Sequence, residues 1–308
     1  MRLWFPLLLI PLFVSAEEIK KNDRPLFSFG AIADCQYCDA DSERRRYRLS
    51  PEKLQKCVDH LNTVELSFVV HLGDFIDKDW ESFDVVVPIY EKLKAPHYHV
   101  LGNHDFSVAD DKKLLVPERL GMPSRYYSFE REGWRFIVVD GNDLSLYAHP
   151  KGSERHKESV AIRDTFEKKP PHYNGGVGDG QIAWLHTEFK AAEKASQPVV
   201  LFCHFPIFPK NGHNLWNDSQ IVDLLDEYSH IIAWINGHNH AGNYGEKDGI
   251  HYLTLKGMVD TTETSYAIID VYNDHLYVRG FGREEDRKLE IPPDPQSKAS
   301  KAAACCAH

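Results

Sequence analysis

Apolar positions along the chain fall into two periods. The unbroken runs "LFSFGAIAD" (26–34), "LSFVVHLGD" (66–74), "HYHVLGNHD" (97–105), "PVVLFCHFP" (198–206) and "HIIAWINGHNH" (230–240) have the length of strands buried on both faces. Between them, "SPEKLQKCVDHLNTV" (50–64) opens on Ser50, Pro51 and Glu52, a helix start by capping and by proline in the first turn. "WESFDVVVPIYEKLK" (80–94) predicts a helix bent at Pro88, and "DGQIAWLHTEFKAAEKAS" (179–196) one with Ile182, Leu185, Phe189 and Ala192 on its apolar stripe. "SQIVDLLDEYS" (219–229) predicts a further helix. The alternation of strand and helix through 26–105 implies parallel pairing with right-handed crossovers.

"RYYSFEREGWRFIVVD" (125–140) predicts a hairpin turning at Arg131-Glu132-Gly133. The following forty residues, 141–180, are polar and rich in Gly and Pro, and are expected to be a long loop or insertion. "IHYLTLKG" (250–257), "SYAIIDVY" (265–272) and "HLYVRGFG" (275–282) are expected to be antiparallel strands that close the fold. Together these elements form one mixed α/β domain over 25–292.

The ends of the chain differ in kind. Arg2, an apolar run from Leu3 to Val14 and the small residues before Glu17 have the layout of a signal peptide (1–16), followed by a linker (17–24). The run falls short of the roughly 20 residues a membrane-spanning helix needs. An exported protein, periplasmic or extracellular, without stable membrane association after cleavage is expected; the alternative is a retained anchor. Residues 293–308, rich in Ala, Ser and Lys, are expected to be a disordered tail.

With 308 residues and 42% apolar content the chain can build an ordinary core. A net charge of -10 argues against a nucleic-acid binder but allows an anionic small substrate, because a bound cation reverses the local field. The six cysteines are too few to build the fold from disulfides, and their pairing is left open. Cys35-x-x-Cys38 has the spacing of redox and zinc sites. No second such pair exists to complete a zinc site, and Asp34, Asp39 and Asp41 make poor surroundings for a reactive thiolate. Asn217-Asp218-Ser219 is a glycosylation sequon, relevant only in a eukaryotic secretory pathway.

Five polar clusters sit just past the C-terminal ends of predicted strands, where open α/β sheets bind ligands. They are Asp34-x-Gln36, Gly73-Asp74-x-x-Asp77, Gly102-Asn103-His104-Asp105, Cys203-His204-Phe205-Pro206 and Gly237-His238-Asn239-His240. Singly, each is commonly a turn or a core residue. In this order they present seven nitrogen and oxygen ligands: Asp34, Gln36, Asp74, Asn103, His204, His238 and His240. Seven exceed the need of one tetrahedral ion and suit two ions that share a carboxylate, with Asp74 the natural bridge. Alternation along an extended strand is expected to point Asp34 and Gln36 one way and Cys35 the other, and to align His238 with His240.

The ordered set Asp34, "GDFID", "GNHD", "CH" and "GHNH" resembles the calcineurin-like metallophosphoesterase family over nearly the whole mature chain. The resemblance implies a four-layer αββα sandwich of two mixed sheets. It also implies one ion on Asp34, Gln36, Asp74 and His240 and a second on Asp74, Asn103, His204 and His238. Most of that family carries histidine where Gln36 stands. "ADCQY", "RRRY", "CHFPIFP", "LWND" and "GHNHAGNY" resemble its manganese-dependent ADP-ribose/CDP-alcohol diphosphatase branch, which carries glutamine there. Two loops are shorter than that branch usually has. Its specificity cysteine has no match, and His213 stands near the place. An amide oxygen is a harder ligand than imidazole, which favours Mn2+ or Mg2+ over Zn2+, with iron or zinc as alternatives.

The reading is a monomeric metal-dependent phosphohydrolase whose small substrate is a nucleoside diphosphate derivative. A phosphomonoesterase or phosphodiesterase of the same family and a non-catalytic scaffold are the alternatives. His104 is the candidate to protonate the leaving oxygen, Asp105 to orient it, and Asp77 to partner a ligand histidine. Arg44, Arg45 and Arg46 form the one dense basic run and could fork onto a phosphate. Tyr37 and His213 are further candidates to touch substrate.

Overall fold

The computed structural model describes residues 24–40 and 42–292. The expected signal peptide (1–16), the linker apart from Arg24, and the tail (293–308) with Cys305 and Cys306 lie outside the described residues. Among those described, no helix is long and apolar enough to cross a membrane.

Among the described residues, twelve strands form two six-stranded sheets. In the first, β1 (Phe27–Ile32), β2 (Phe68–His71) and β3 (His97–His99) are parallel, and β10 (Ser265–Val271), β11 (His275–Gly282) and β12 (Arg287–Glu290) continue antiparallel from the other side of β1. The second runs β4 (Tyr127–Arg131), β5 (Trp134–Val138), β6 (Val199–Phe202), β7 (Ile231–Asn236), β9 (Ile250–Thr254), β8 (Asn243–Lys247). Its central strands β5, β6, β7 and β9 are parallel.

The helices are α1 (Ser50–Leu61), α2 (Ser82–Tyr90), α3 (Val116–Arg119), α4 (Glu154–Asp164), α5 (Asp179–Lys194) and α6 (Asp218–Asp226). Strand alternation sorts the core into layers. Phe29 stacks on Phe68 at 4.8 Å and meets Phe136 and Phe202 of the second sheet edge-on at 5.7 and 5.9 Å. This aromatic seam joins the sheets. The intervening residues Ile137, Val199, Leu201 and Trp234 face outward and pack with Leu185 and Phe189 of α5 and Ile221 and Leu225 of α6. Leu54, Val58, Phe83 and Val86 of α1 and α2 join the core of the first sheet. The result is the four-layer αββα sandwich.

Several elements differ from expectation. The strand at 250–254 is not one of an antiparallel closing set: it lies parallel to β7 in the second sheet. Its antiparallel partner β8 is polar and half-buried at the sheet edge, so it carries no apolar alternation. The Asp248-Gly249 turn between them, both residues at positive φ, was the available sign of a hairpin. Within the expected loop, α4 forms with Ser159 as its buried residue, so it too lacks an apolar stripe. Its start is marked instead by Ser153, whose hydroxyl accepts from the His156 N–H. Ser50 does not cap α1; it is the helix's first residue, and Pro51 supplies the start. Ile182 is only partly buried, and Gln181 takes an inward place on α5.

Candidate metal centre

The C-terminal ends of the two sheets meet at one place. The first sheet sends Asp34 and Gln36 past β1, Asp74 past β2 and Asn103 past β3. The second sends His204 past β6 and His238 and His240 past β7. All seven are buried.

The backbone does not reach this arrangement by extended alternation. β1 ends at Ile32, and Asp34, Gln36, Asp74 and His238 all take positive φ, between 49° and 68°. Each such residue costs about 1–2 kcal/mol, so the turns persist only because their surroundings over-determine them. Gln36 N–H donates to the Asp74 carbonyl at 2.8 Å, and His238 N–H to the Asp34 carboxylate at 3.1 Å. Gly73 (φ 91°) and Gly102 let the β2 and β3 turns touch: a Cβ on Gly102 would lie 2.1 Å from the Asp74 nitrogen. Cys35 is buried in the hydrophobic core, opposite in role to its neighbours as expected, but by a left-handed turn rather than a pleat.

Asp105 is not placed to orient His104. Its buried carboxylate accepts the N–H groups of Asp74, Phe75, Ile76 and Gly102 at 2.7–3.2 Å, tying the β2 and β3 turns together. Burial and the adjacent Asp74 raise its pKa. His104 is held instead by Asp77, whose carbonyl lies 2.9 Å and carboxylate 3.2 Å from Nδ1. Asp77 therefore partners His104 rather than one of the three candidate ligand histidines, His204, His238 and His240.

Those three histidines are each fixed by an acceptor on the side away from the centre. His204 Nδ1–H donates to the Leu72 carbonyl at 2.9 Å, His238 Nε2–H to Asn174 Oδ1 at 2.9 Å, and His240 Nδ1–H to Asp260 Oδ1 at 2.9 Å. Each inner nitrogen is left with a lone pair. His238 Nδ1, Asn103 Oδ1 and Asp74 Oδ2 then stand 3.1, 3.2 and 3.3 Å from His204 Nε2. Four acceptor atoms facing one another need a positive charge among them, a proton or a metal cation. Both amide atoms of Gln36 are buried without a partner. A buried polar group is rarely left so, and the residues fit a pair of divalent ions. Asp74, His204 and His238 form a cluster with ligand atoms within 4.8 Å of one another.

The electrostatics agree. Burial works against a charged His204, but Asp74 outweighs it and lifts the pKa to about 9. His240 is likewise lowered by burial, then raised to about 9 by Asp34 and Asp260. Burial would raise Asp74, yet His204 and His104 hold it below the usual carboxylate range. His238 is driven well down by burial and by His204. A bound cation would take the place of these protons.

The candidate substrate contacts divide. Arg45 is largely covered, 3.6 Å from Asp77, whereas the side chain of Arg44 is 76% exposed and Arg46 points to solvent. Tyr37 packs against the core with its backbone bridged to Ile76. His213 does reach the centre, its ring 5.4 Å from that of His238. Sequence reasoning missed Asn174 and Asp260, isolated polar residues whose pairing depends on tertiary contact. It also missed Tyr173, a half-exposed ring 5.9 Å from His238.

The described cysteines are free thiols. Burial pushes Cys35 up to about 12 and Cys38 up to about 11, which makes neither a nucleophile near neutral pH. The sequon Asn217 is tied to the Val177 backbone by both amide atoms, at 2.9 and 3.1 Å.

Buried carboxylates, amides and imidazoles converging from two sheets define a metal-dependent hydrolase. The calcineurin-like phosphoesterase profile matches residues 27–242, and the chain belongs to that family. It is 30% identical to the manganese-dependent ADP-ribose/CDP-alcohol diphosphatase of Arabidopsis thaliana over 87% of this chain and 98% of that one. The Homo sapiens protein of the same name is 28% identical, with 88% and 94% covered. The crystal structure of a dimetal phosphatase from Danio rerio matches with a TM-score of 0.77 at 26% identity, covering 87% of this chain and 99% of that one.

Proposed function

We propose that the protein is a manganese-dependent hydrolase of diphosphate bonds in nucleoside diphosphate derivatives, of the ADP-ribose or CDP-alcohol kind. The observation that carries the reading is Gln36, buried beside Asp74 with both amide atoms unpartnered, in a donor set otherwise made for two ions. Asp34, Gln36, Asp74 and His240 hold one ion; Asp74, Asn103, His204 and His238 hold the other. When bound, such a pair supplies positive charge to the phosphoryl oxygens and an acidified water near neutral pH.

The chain's own groups do the rest. His104 donates its Nδ1–H in a hydrogen bond to the Asp77 carbonyl, which leaves Nε2 to carry a proton to the departing oxygen. Arg45, 3.6 Å from Asp77, would hold a second phosphoryl group. His213 and Tyr173 border the centre on the His238 side and meet the organic part of the substrate. Export through the N-terminal signal peptide is part of the proposal, and sequencing the N-terminus of the secreted protein checks it.

The test compares ADP-ribose, CDP-choline, a cyclic nucleotide and an aryl phosphate, each with Mn2+. Higher kcat/KM on the two diphosphates is expected. Turnover of the cyclic nucleotide or the aryl phosphate with neither diphosphate cleaved overturns the substrate assignment.

A further inference from the structure

His238 and His240 face the centre from one loop, yet they are held in chemically different ways. The outer nitrogen of His240 donates to a carboxylate, Asp260. The outer nitrogens of His238 and His204 donate to neutral oxygens, those of Asn174 and Leu72. A carboxylate acceptor makes the opposite ring nitrogen a more basic ligand than a neutral acceptor does.

The segment that carries Asp260 is fixed on several sides. Val259 N–H donates to the Asp34 carbonyl at 2.9 Å, and Arg46 N–H to the Val259 carbonyl at 2.8 Å. From α1, the buried Lys53 ammonium donates to the carbonyls of Met258 and Thr261, bracketing Asp260. Asn174 is fixed as firmly, its NH2 donating to the Gly212 and Asn214 carbonyls at 3.0 and 2.8 Å. The contrast is therefore one of charge rather than order.

Carboxylates are unequally shared as well. Asp74 lies between the two halves. Asp34 and Asp260 lie against the ring of His240, and among the described residues no carboxylate other than Asp74 is bonded to the ring of His204 or His238. Arg44 lies 3.9 Å from Asp260 but is mostly in solvent, and Lys53 directs its protons to carbonyls, so this negative charge is only partly offset. Buried charges are weakly screened, and a hard cation follows the denser field.

We infer that the two ions load in a fixed order, the Asp34–Gln36–His240 half first and tightly, the Asn103–His204–His238 half second and loosely. Asp260 and Asn174 are the positioning residues that set the gap. At limiting manganese the protein holds one ion. The inference rests on the two-ion reading above.

The test is a Mn2+ titration of the chelator-stripped full chain, followed by calorimetry and by the electron paramagnetic resonance of isolated against coupled Mn2+. Two steps are expected, with His240→Asn removing the tight one and His238→Asn the loose one. Asp260→Asn should weaken the tight step by about 10–100-fold and leave the loose step unchanged. Asn174→Asp, which keeps the shape and adds a charge, should tighten the loose step by about tenfold. The two variants predict opposite shifts at different steps, so either decides the matter if the other does not fold, as judged by metal-free thermal melts. Two equal affinities, or either variant moving the wrong step, overturn the inference. A wild-type chain that binds no manganese overturns the two-ion reading instead.

Discussion

The turns after β1, β2, β3, β6 and β7 and the rim that overlooks them, 141–178 and 207–217, are held in contrasting ways. In the turns, four of the ligand residues take positive φ, and glycine is required where Gly102 meets Asp74. Side chain and backbone fix each other there: Asp105 alone accepts four N–H groups. The rim carries the half-exposed Tyr173 and His213 and a cavity of about 500 Å³ between Phe166, Pro171, Lys210 and Trp216. Its tie to the centre is Asn174, which reaches His238. The turns hold the chemistry and tolerate almost no change.

The largest break in that comparison should come from Asp74→Ala. Manganese uptake and hydrolysis should both fall to background, measured by calorimetry and by formation of the nucleoside monophosphate; retention of both would remove Asp74 from the centre. Next, Asp105→Asn should cost about 1.5–3 kcal/mol of stability by weakening hydrogen bonds to a charged group. Asp77→Asn should leave the melting temperature nearly unchanged and lower kcat by about tenfold or more through His104. If Asp105→Asn instead changes only the pH profile, with no loss of stability, it acts on His104 after all.

Rim substitutions should have smaller and more selective effects. Tyr173→Ala and His213→Ala should alter the ratio of kcat/KM for ADP-ribose and CDP-choline by about tenfold, within the range of base stacking on aromatic groups. Mn2+ affinity should stay unchanged. Equal losses on both substrates would place these residues outside the base site.

The smallest effect is a pH trend in the metal-free protein. His204 and His240 have folded pKa values raised to about 9, above their ordinary 6.5. Their contribution to stability is therefore fully present below about pH 6.5 and is lost as pH rises through about 9. Mn2+ affinity should move the other way and rise over the same interval, because the ions displace those protons. Thermal melts and calorimetry between pH 6 and 9.5 check both signs.

The legibility of the fold followed burial. Strands within apolar runs, such as Phe68–His71 and Val199–Phe202, were readable because both faces are covered. β8 and α4 were not, because an edge strand and a surface helix bury too little to impose a period. The seven ligand residues were readable for a related reason. Each directly follows a strand, and topology alone brings strand ends together. Asp260, Asn174 and Tyr173 were not, because nothing local distinguishes them from ordinary polar or aromatic loop residues.

The residue types at the strand ends, and their order, were settled by the sequence, since donor atoms and covalent spacing are properties of the chain itself. The tertiary structure decided how they meet. It replaced the expected pleat with left-handed turns, moved Asp105 from His104 to the backbone of Asp74, and gave Asp260 to His240 and Asn174 to His238. Those choices depend on contacts between residues more than 200 positions apart, as between Asp34 and His238. Such contacts come into being only when the two sheets pack and water is excluded from the space between their ends.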